Sequence, residues 1–151
     1  ELQKQGKVRS IGVSNSPEEQ LREIIEETGV VPVIHQIELH PYFSQEALRA
    51  VHAEYGIATQ AWSPLGNGSD LLQNPVLAEI AERHGATPAQ VVLAWHLAKG
   101  TVAIPKSVTP SRIEENLASV NVKLTDEDIA AVDALSTPEG RIGPDPANID
   151  F

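Results

Sequence analysis

A chain of 151 residues with 41% hydrophobic and 21% charged side chains has the size of one domain and ordinary globular composition, which excludes a disordered tail and a fibrous repeat. Its net charge of −10, from 21 acids against 11 bases, opposes nucleic acid, where Lys and Arg must neutralise phosphates, and opposes an anionic membrane surface. The absence of cysteine excludes disulfides and thiolate chemistry. No apolar run approaches the ~20 residues of a membrane helix, and Glu1 to Arg9 lacks the apolar stretch of a signal peptide, so a cytoplasmic location is expected.

In chain order, Ser10-Ile11-Gly12-Val13 is short and partly β-branched and reads as a first strand. Ser16-Pro17-Glu18-Glu19 then predicts a capping box, with Ser as N-cap and Pro at the first helical position. Leu21, Ile24 and Ile25 continue that helix to a stop at Gly29. A second strand is expected from Val33 to Leu39, then a helix on Ala47, Leu48 and Val51 that stops at Gly56, then a third strand from Ile57 to Trp62. Asn74-Pro75 opens a helix carrying Val76, Leu77, Ile80 and Ala81, which stops at Gly85. Thr87-Pro88-Ala89-Gln90 repeats the capping box, and Val91, Val92, Trp95 and Leu97 predict a well-buried helix ending at Gly100. Thr101 to Ile104 reads as a fourth strand. Two helices follow, one from Thr109-Pro110 with Ile113 and Leu117, one from Thr125-Asp126-Glu127-Asp128 with Ile129, Val132 and Leu135. The tail from Pro138 to Phe151 is rich in Gly and Pro and reads as an irregular surface segment. No break divides residues 1–151, so a single domain is expected.

Strands alternating with helices place the chain in the α/β class, with a parallel sheet and right-handed crossovers. Two architectures fit: an open doubly wound sheet, or part of a (β/α)8 TIM barrel. A full barrel needs about 250 residues, so four βα units would be half of one. Either way, ligands bind beyond the carboxyl ends of the strands. The residues there are Ser14-Asn15, Gln36 to Tyr42, Trp62 to Gly68, and Lys106 to Arg112.

The last of these segments joins a strand to a helix start, where free N–H donors and the helix dipole favour an anion. Lys106, Arg112 and the Ser107 and Thr109 hydroxyls could hold a phosphate there; the plainer reading is two solvated cations beside a capped helix. Neither a P-loop pattern nor Gly-x-Gly-x-x-Gly is present. Trp62 is a flat face for a ligand ring or a core side chain. Ser14 and Asn15 suit a carboxamide or a simple turn, and Gln36 needs a partner, from ligand or backbone. The five histidines show no metal-ligand spacing, and no metal is expected.

At these same residues the sequence resembles the aldo-keto reductase family, and within it the prokaryotic 2,5-diketo-D-gluconate reductase-like branch. Gly6 to Asn15, Gln36 to Tyr42, Ala61 to Gly66, and Ile104 to Ser107 with Arg112, Glu115 and Asn116 resemble the family's fifth to eighth strand segments, in order. The resemblance extends through the tail at Gly143-Pro144-Asp145-Pro146 and implies the C-terminal half of the barrel. It implies NADPH as cofactor and a small carbonyl as substrate. Ser14, Asn15 and Gln36 would bind the nicotinamide carboxamide, and Trp62 would stack on the ring. Ser63 and Leu65 would line the pyrophosphate. Lys106, Ser107, Val108 and Arg112 would hold the 2′-phosphate, and Glu115 and Asn116 would contact adenine. Substrate contacts would come partly from the tail near Ile142 to Phe151. The family's catalytic Asp, Tyr, Lys and His belong to the first four βα units, which have no counterpart in these residues, so no catalytic residue is assigned. The expected partners are an N-terminal half-barrel or a second copy, because an open half-barrel leaves strand edges unpaired. A non-catalytic NADPH-binding half-barrel is the alternative function.

Overall fold

A computed structural model describes residues 1–148 and contains four parallel strands. They are β1 (Gly12–Ser14), β2 (Ile34–Glu38), β3 (Ala58–Trp62) and β4 (Val102–Ala103), adjacent in chain order. Helix α1 (Glu18–Thr28) joins β1 to β2, and α2 (Glu46–Tyr55) joins β2 to β3. Two helices, α3 (Pro75–His84) and α4 (Pro88–Ala98), lie between β3 and β4. Helices α5 (Pro110–Ala118) and α6 (Asp126–Asp133) follow. A doubly wound sheet reverses its strand order at a switch point. This sheet does not, so it has the arrangement of four successive units of a (β/α)8 barrel.

Register decides which residues share a face. Ser14, Gln36, Gln60 and Val102 lie in one row across the sheet, and Glu38 pairs with Trp62 in the next row on that face. The opposite face carries His35, Ile37, Thr59 and Ala61, all buried under the helices. The strands are shorter than the apolar runs predict. Ser10 and Ile11 precede β1, although the Ile11 carbonyl accepts the Val33 amide at 2.9 Å, and β4 pairs with β3 over only two residues.

The main core lies where α3, α4 and α6 meet and contains Leu71, Leu77, Ile80, Val91, Val92, Trp95 and Val132. Trp95 satisfies its indole N–H on Asp133 Oδ1 at 2.8 Å. A second cluster of Leu21, Ile25, Val51 and Ile57 packs α1 and α2 together. Leu97 is the exception in α4, being half exposed, and Ile113 and Leu117 face outward because no element among the described residues covers that side of β4 and α5.

Helix starts follow the sequence with two corrections. Thr87 and Gln90 close a reciprocal capping box, as do Thr125 and Asp128. Asn74 accepts from the Val76 amide, whereas Thr109 makes no side-chain cap. The box expected at Ser16 does not form: α1 starts at Glu18 with Pro17 as N-cap. Ser16 instead donates its amide to His35 Nε2 at 3.1 Å, which draws it toward the strand end. The stops at Gly29, Gly56 and Gly85 are present, while Gly100 follows the true cap, Lys99.

The tail also departs from expectation. It contains short 3-10 turns at Pro138–Gly140 and Pro146–Asn148, and its Ile142 and Gly143 amides are tied to Glu38. Ile149, Asp150 and Phe151, included in the expected substrate-contacting segment, lie outside the described residues.

Candidate functional site

The carboxyl ends of β1, β2 and β3 form a connected polar surface. Asn15 and Ser63 take left-handed backbone angles, φ 56 and φ 50, which turn the chain sharply as it leaves β1 and β3. The turn brings Asn15 Oδ1 within 2.7 Å of the Trp62 Nε1 donor. Ser14 Oγ and the Asn15 amide both donate to the Gln36 carbonyl, at 3.1 and 2.9 Å. Gln36 Nε2 donates to Gln60 Oε1 at 2.5 Å. Ser14, Asn15, Gln36 and Trp62 are therefore one network. Asn15 Nδ2 and Gln36 Oε1 have no hydrogen-bond partner among the described residues, leaving a donor and an acceptor open in the same neighbourhood.

Beyond β4 lies a cavity of about 540 Å³. Its wall includes Leu65, Ser69, Lys106, Ser107, Arg112, Glu115 and Asn116. Ser63, Val108 and Thr109 are not on that wall, and Val108 is 89% exposed. Ser107 Oγ accepts the Thr109 amide at 3.2 Å, which shapes the turn into α5. Glu115 Oε1 accepts from Thr87 Oγ1 at 2.6 Å, and the Glu115 carbonyl accepts from Gln90 Nε2 at 3.0 Å, fixing α5 against α4. Neither Lys106 nor Arg112 has a carboxylate within ion-pair distance among the described residues. Two uncompensated cations beside a helix N-terminus fit an anionic group.

Under the first site runs a buried relay. Because the Ser16 amide donates to His35 Nε2, neutral His35 must carry its proton on Nδ1. That proton points at His52 Nε2, 2.8 Å away, so His52 carries its own on Nδ1 and donates to Thr59 Oγ1, also at 2.8 Å. Burial, then the neighbouring His52, push His35 down to about 4. Burial, then Arg49, also lower His52. The relay anchors the segment just after Asn15. His96 donates Nε2–H to the Pro64 carbonyl at 3.2 Å, and burial pushes it down to about 4.

Sequence reasoning did not single out His35 and His52, nor Glu38, whose carboxylate is buried at the end of β2. The signal available was alternation: His35 and Ile37 occupy the helix-facing positions, alternating with Gln36 and Glu38. Among the described residues, no three His, Asp or Glu are grouped to hold a metal, and no helix is long and apolar enough to cross a membrane.

The sequence matches the aldo/keto reductase family over residues 1–137. The chain belongs to that family. An aldo-keto reductase of Mycolicibacterium smegmatis is 53% identical over 150 residues, covering 99% of this chain and 54% of that protein. The 2,5-diketo-D-gluconic acid reductase B of a Corynebacterium species is 51% identical over 130 residues, covering 86% of this chain and 47% of that one. Methylglyoxal reductase DkgA of Escherichia coli K12 is 46% identical, covering 97% and 53%. Two crystal structures of Gox0644, one of the apo form and one of a single-site variant in complex with NADPH, superpose with a TM-score of 0.95 at 48% identity. Gox0644 is covered over 55% of its length by 99% of this chain. This aldo/keto reductase chain thus spans about half the length of the relatives it matches.

Proposed function

We propose that the chain is the cofactor-holding half of an NADPH-dependent aldo-keto reductase that reduces a small carbonyl compound to an alcohol. The observation that carries this reading is the convergence of Lys106, Ser107 and Arg112 with Glu115 and Asn116 on one cavity at the start of α5. Lys106, Ser107 and Arg112, with Val108 in the same turn, would hold the 2′-phosphate, and Glu115 and Asn116 the adenine. Leu65 lies between that cavity and the strand ends, where Ser63 and Leu65 would line the pyrophosphate. At the other end, Asn15 Nδ2 and Gln36 Oε1 offer the donor and acceptor that a carboxamide requires, with Ser14 beside them and Trp62 as the flat surface. When bound, NADPH would supply a hydride; the protein supplies orientation and charge. The Asp, Tyr, Lys and His of the family's proton chemistry have no counterpart here, so these 151 residues alone are expected to bind cofactor and to reduce carbonyls negligibly.

The open edges support a partner. Beyond β4 an apolar cavity of about 640 Å³ is lined by Leu97, Val102, Ile113, Leu117 and Val120, and among the described residues the outer edge of β1 is also unpaired. Further parallel βα units would cover both edges at once. A lone chain that sizes as a dimer in solution would give that role to a second copy.

Titration by quenching of Trp emission tests the cofactor assignment. Lys106→Ala or Arg112→Ala should weaken NADPH by about tenfold, ~1.4 kcal/mol, while changing NADH little. Equal losses for the two dinucleotides would refute the 2′-phosphate assignment.

A further inference from the structure

We propose that Glu38 is a positioning residue: its carboxylate latches the C-terminal strap so that Gly143 fixes the indole of Trp62 above the strand ends. The carboxylate is almost fully buried, and burial is tolerable only because both oxygens are satisfied. Glu38 Oε1 accepts the Ile142 amide at 2.5 Å and Oε2 accepts the Gly143 amide at 2.9 Å, across more than a hundred residues of sequence. His40 Nε2 donates to Oε1 at 3.0 Å. Two consecutive backbone amides on the two oxygens of one carboxylate define both the height and the tilt of the strap.

The rest of the strap is fastened along the same loop. Ser136 Oγ accepts the Ser44 amide at 3.0 Å, and the Thr137 amide donates to the Tyr42 carbonyl at 3.0 Å. The Arg141 guanidinium stacks over the Phe43 ring at 4.5 Å. Gly140 packs so tightly on the Tyr42 backbone that no β-carbon fits. The strap ends this run at Gly143, where an added Cβ would lie 2.5 Å from Trp62 Cη2 and 2.8 Å from Glu38 Oε2. Glu38 and Trp62 are register partners on one sheet face, and Gly143 sits against both. The indole is therefore held at two opposite points: Nε1 by Asn15, and the far benzo carbon by Gly143. A ring pinned at both ends keeps its plane without a ligand.

The consequence for cofactor rests on the reading of Trp62 as the nicotinamide platform given above. The latch then acts on the nicotinamide end alone, since the cation cavity beyond β4 contains none of the described strap residues. Glu38→Gln keeps the shape but accepts one amide and turns an NH2 donor toward the other. Gly143→Ala keeps both carboxylate oxygens but pushes a methyl into the indole and against Oε2. Both variants should release the ring by separate routes, so one remains informative if the other folds poorly.

The test combines amide hydrogen exchange at Ile142 and Gly143, acrylamide quenching of Trp62, and titration with NADPH and with adenosine 2′,5′-bisphosphate. Both variants should raise Trp62 quenching, and Glu38→Gln should speed exchange at the two amides about tenfold or more. Both should weaken NADPH about tenfold and leave the bisphosphate unchanged. Unaltered exchange and quenching in Glu38→Gln, or equal weakening of the two ligands, would overturn the proposal. If the unaltered chain binds neither ligand, the cofactor reading fails, and the exchange and quenching measurements still decide the latch.

Discussion

Helices α4 and α5 begin alike, at Thr87-Pro88 and Thr109-Pro110, and have 11 and 9 residues, yet α4 buries six of its residues and α5 buries none. Apolar side chains are available to both, since α5 carries Ile113 and Leu117. The difference is their place in the sheet. Helix α4 lies between neighbours on both sides, α3 and α6 packing against it together with α5. Helix α5 lies beside β4, the last strand, and looks onto an uncovered edge. Burial here measures how many neighbouring units are present more than it measures the hydrophobicity of the helix.

Trp95→Ala should give the largest effect. The side chain is wholly buried at the centre of the main core, and its loss also strands Asp133 Oδ1. A cost of about 3–5 kcal/mol is expected, a large share of an ordinary domain's stability. Urea unfolding measures it directly. A loss below about 1 kcal/mol would mean that α4 is not the structural centre that its burial implies.

Acid should produce the next largest effect, and on the covered side only. His35, His40, His52 and His96 all have their protonation disfavoured first by burial, and none lies between Thr101 and Asn121. For His35 the native value of about 4 lies below the ordinary 6.5, so the fold favours the neutral ring. The contribution is complete above pH 6.5 and is lost as pH falls from there toward 4, on the order of 2–3 kcal/mol. A second proton on His35 would also fall at Nε2, facing the Ser16 amide. The urea midpoint should decline across this window, and His35→Leu should flatten the decline. A flat profile for the unaltered chain would remove the relay from the account. Asp128 adds a loss of the same sign in stronger acid: burial disfavours its charge, but bonds from Thr125, His84 and Arg83 outweigh burial and hold it well below the usual carboxylate range.

Most of the fold was legible because its signals are local. The capping boxes at Thr87 and Thr125 and the alternating strand runs depend on residues a few positions apart. The half-barrel itself followed from four such units and from the family resemblance, and the cluster at Lys106 to Asn116 was legible because strand, turn and helix start are contiguous. What escaped notice is held by partners far apart in sequence. Ser16 reads as a cap until His35 claims its amide. Glu38 reads as an ordinary strand residue until Ile142 and Gly143 arrive. The tail reads as loose because Gly140 and Gly143 look like flexible punctuation, when their lack of a side chain is what permits contact. The exposure of Ile113 and Leu117 was illegible for a different reason: helical periodicity identifies an apolar face and says nothing about whether another element covers it.

The smallest effect is expected at the open edge. Leu117 is 72% exposed, and Leu117→Ser should change the stability of the dilute chain by less than about 0.5 kcal/mol. An outward side chain has little contact to lose in the folded state, and serine is only a slightly poorer helix former than leucine. The same substitution should matter once βα units cover the edge, because the leucine then becomes interior and its replacement leaves a polar group and a void. Unfolding should therefore be measured at two protein concentrations a hundredfold apart. If Leu117→Ser costs more than about 1 kcal/mol, and only at the higher concentration, a second copy already occupies the edge, since mass action makes stability concentration-dependent when association buries the surface. A cost that large at both concentrations would mean that α5 packs on this chain itself, and its contrast with α4 would collapse.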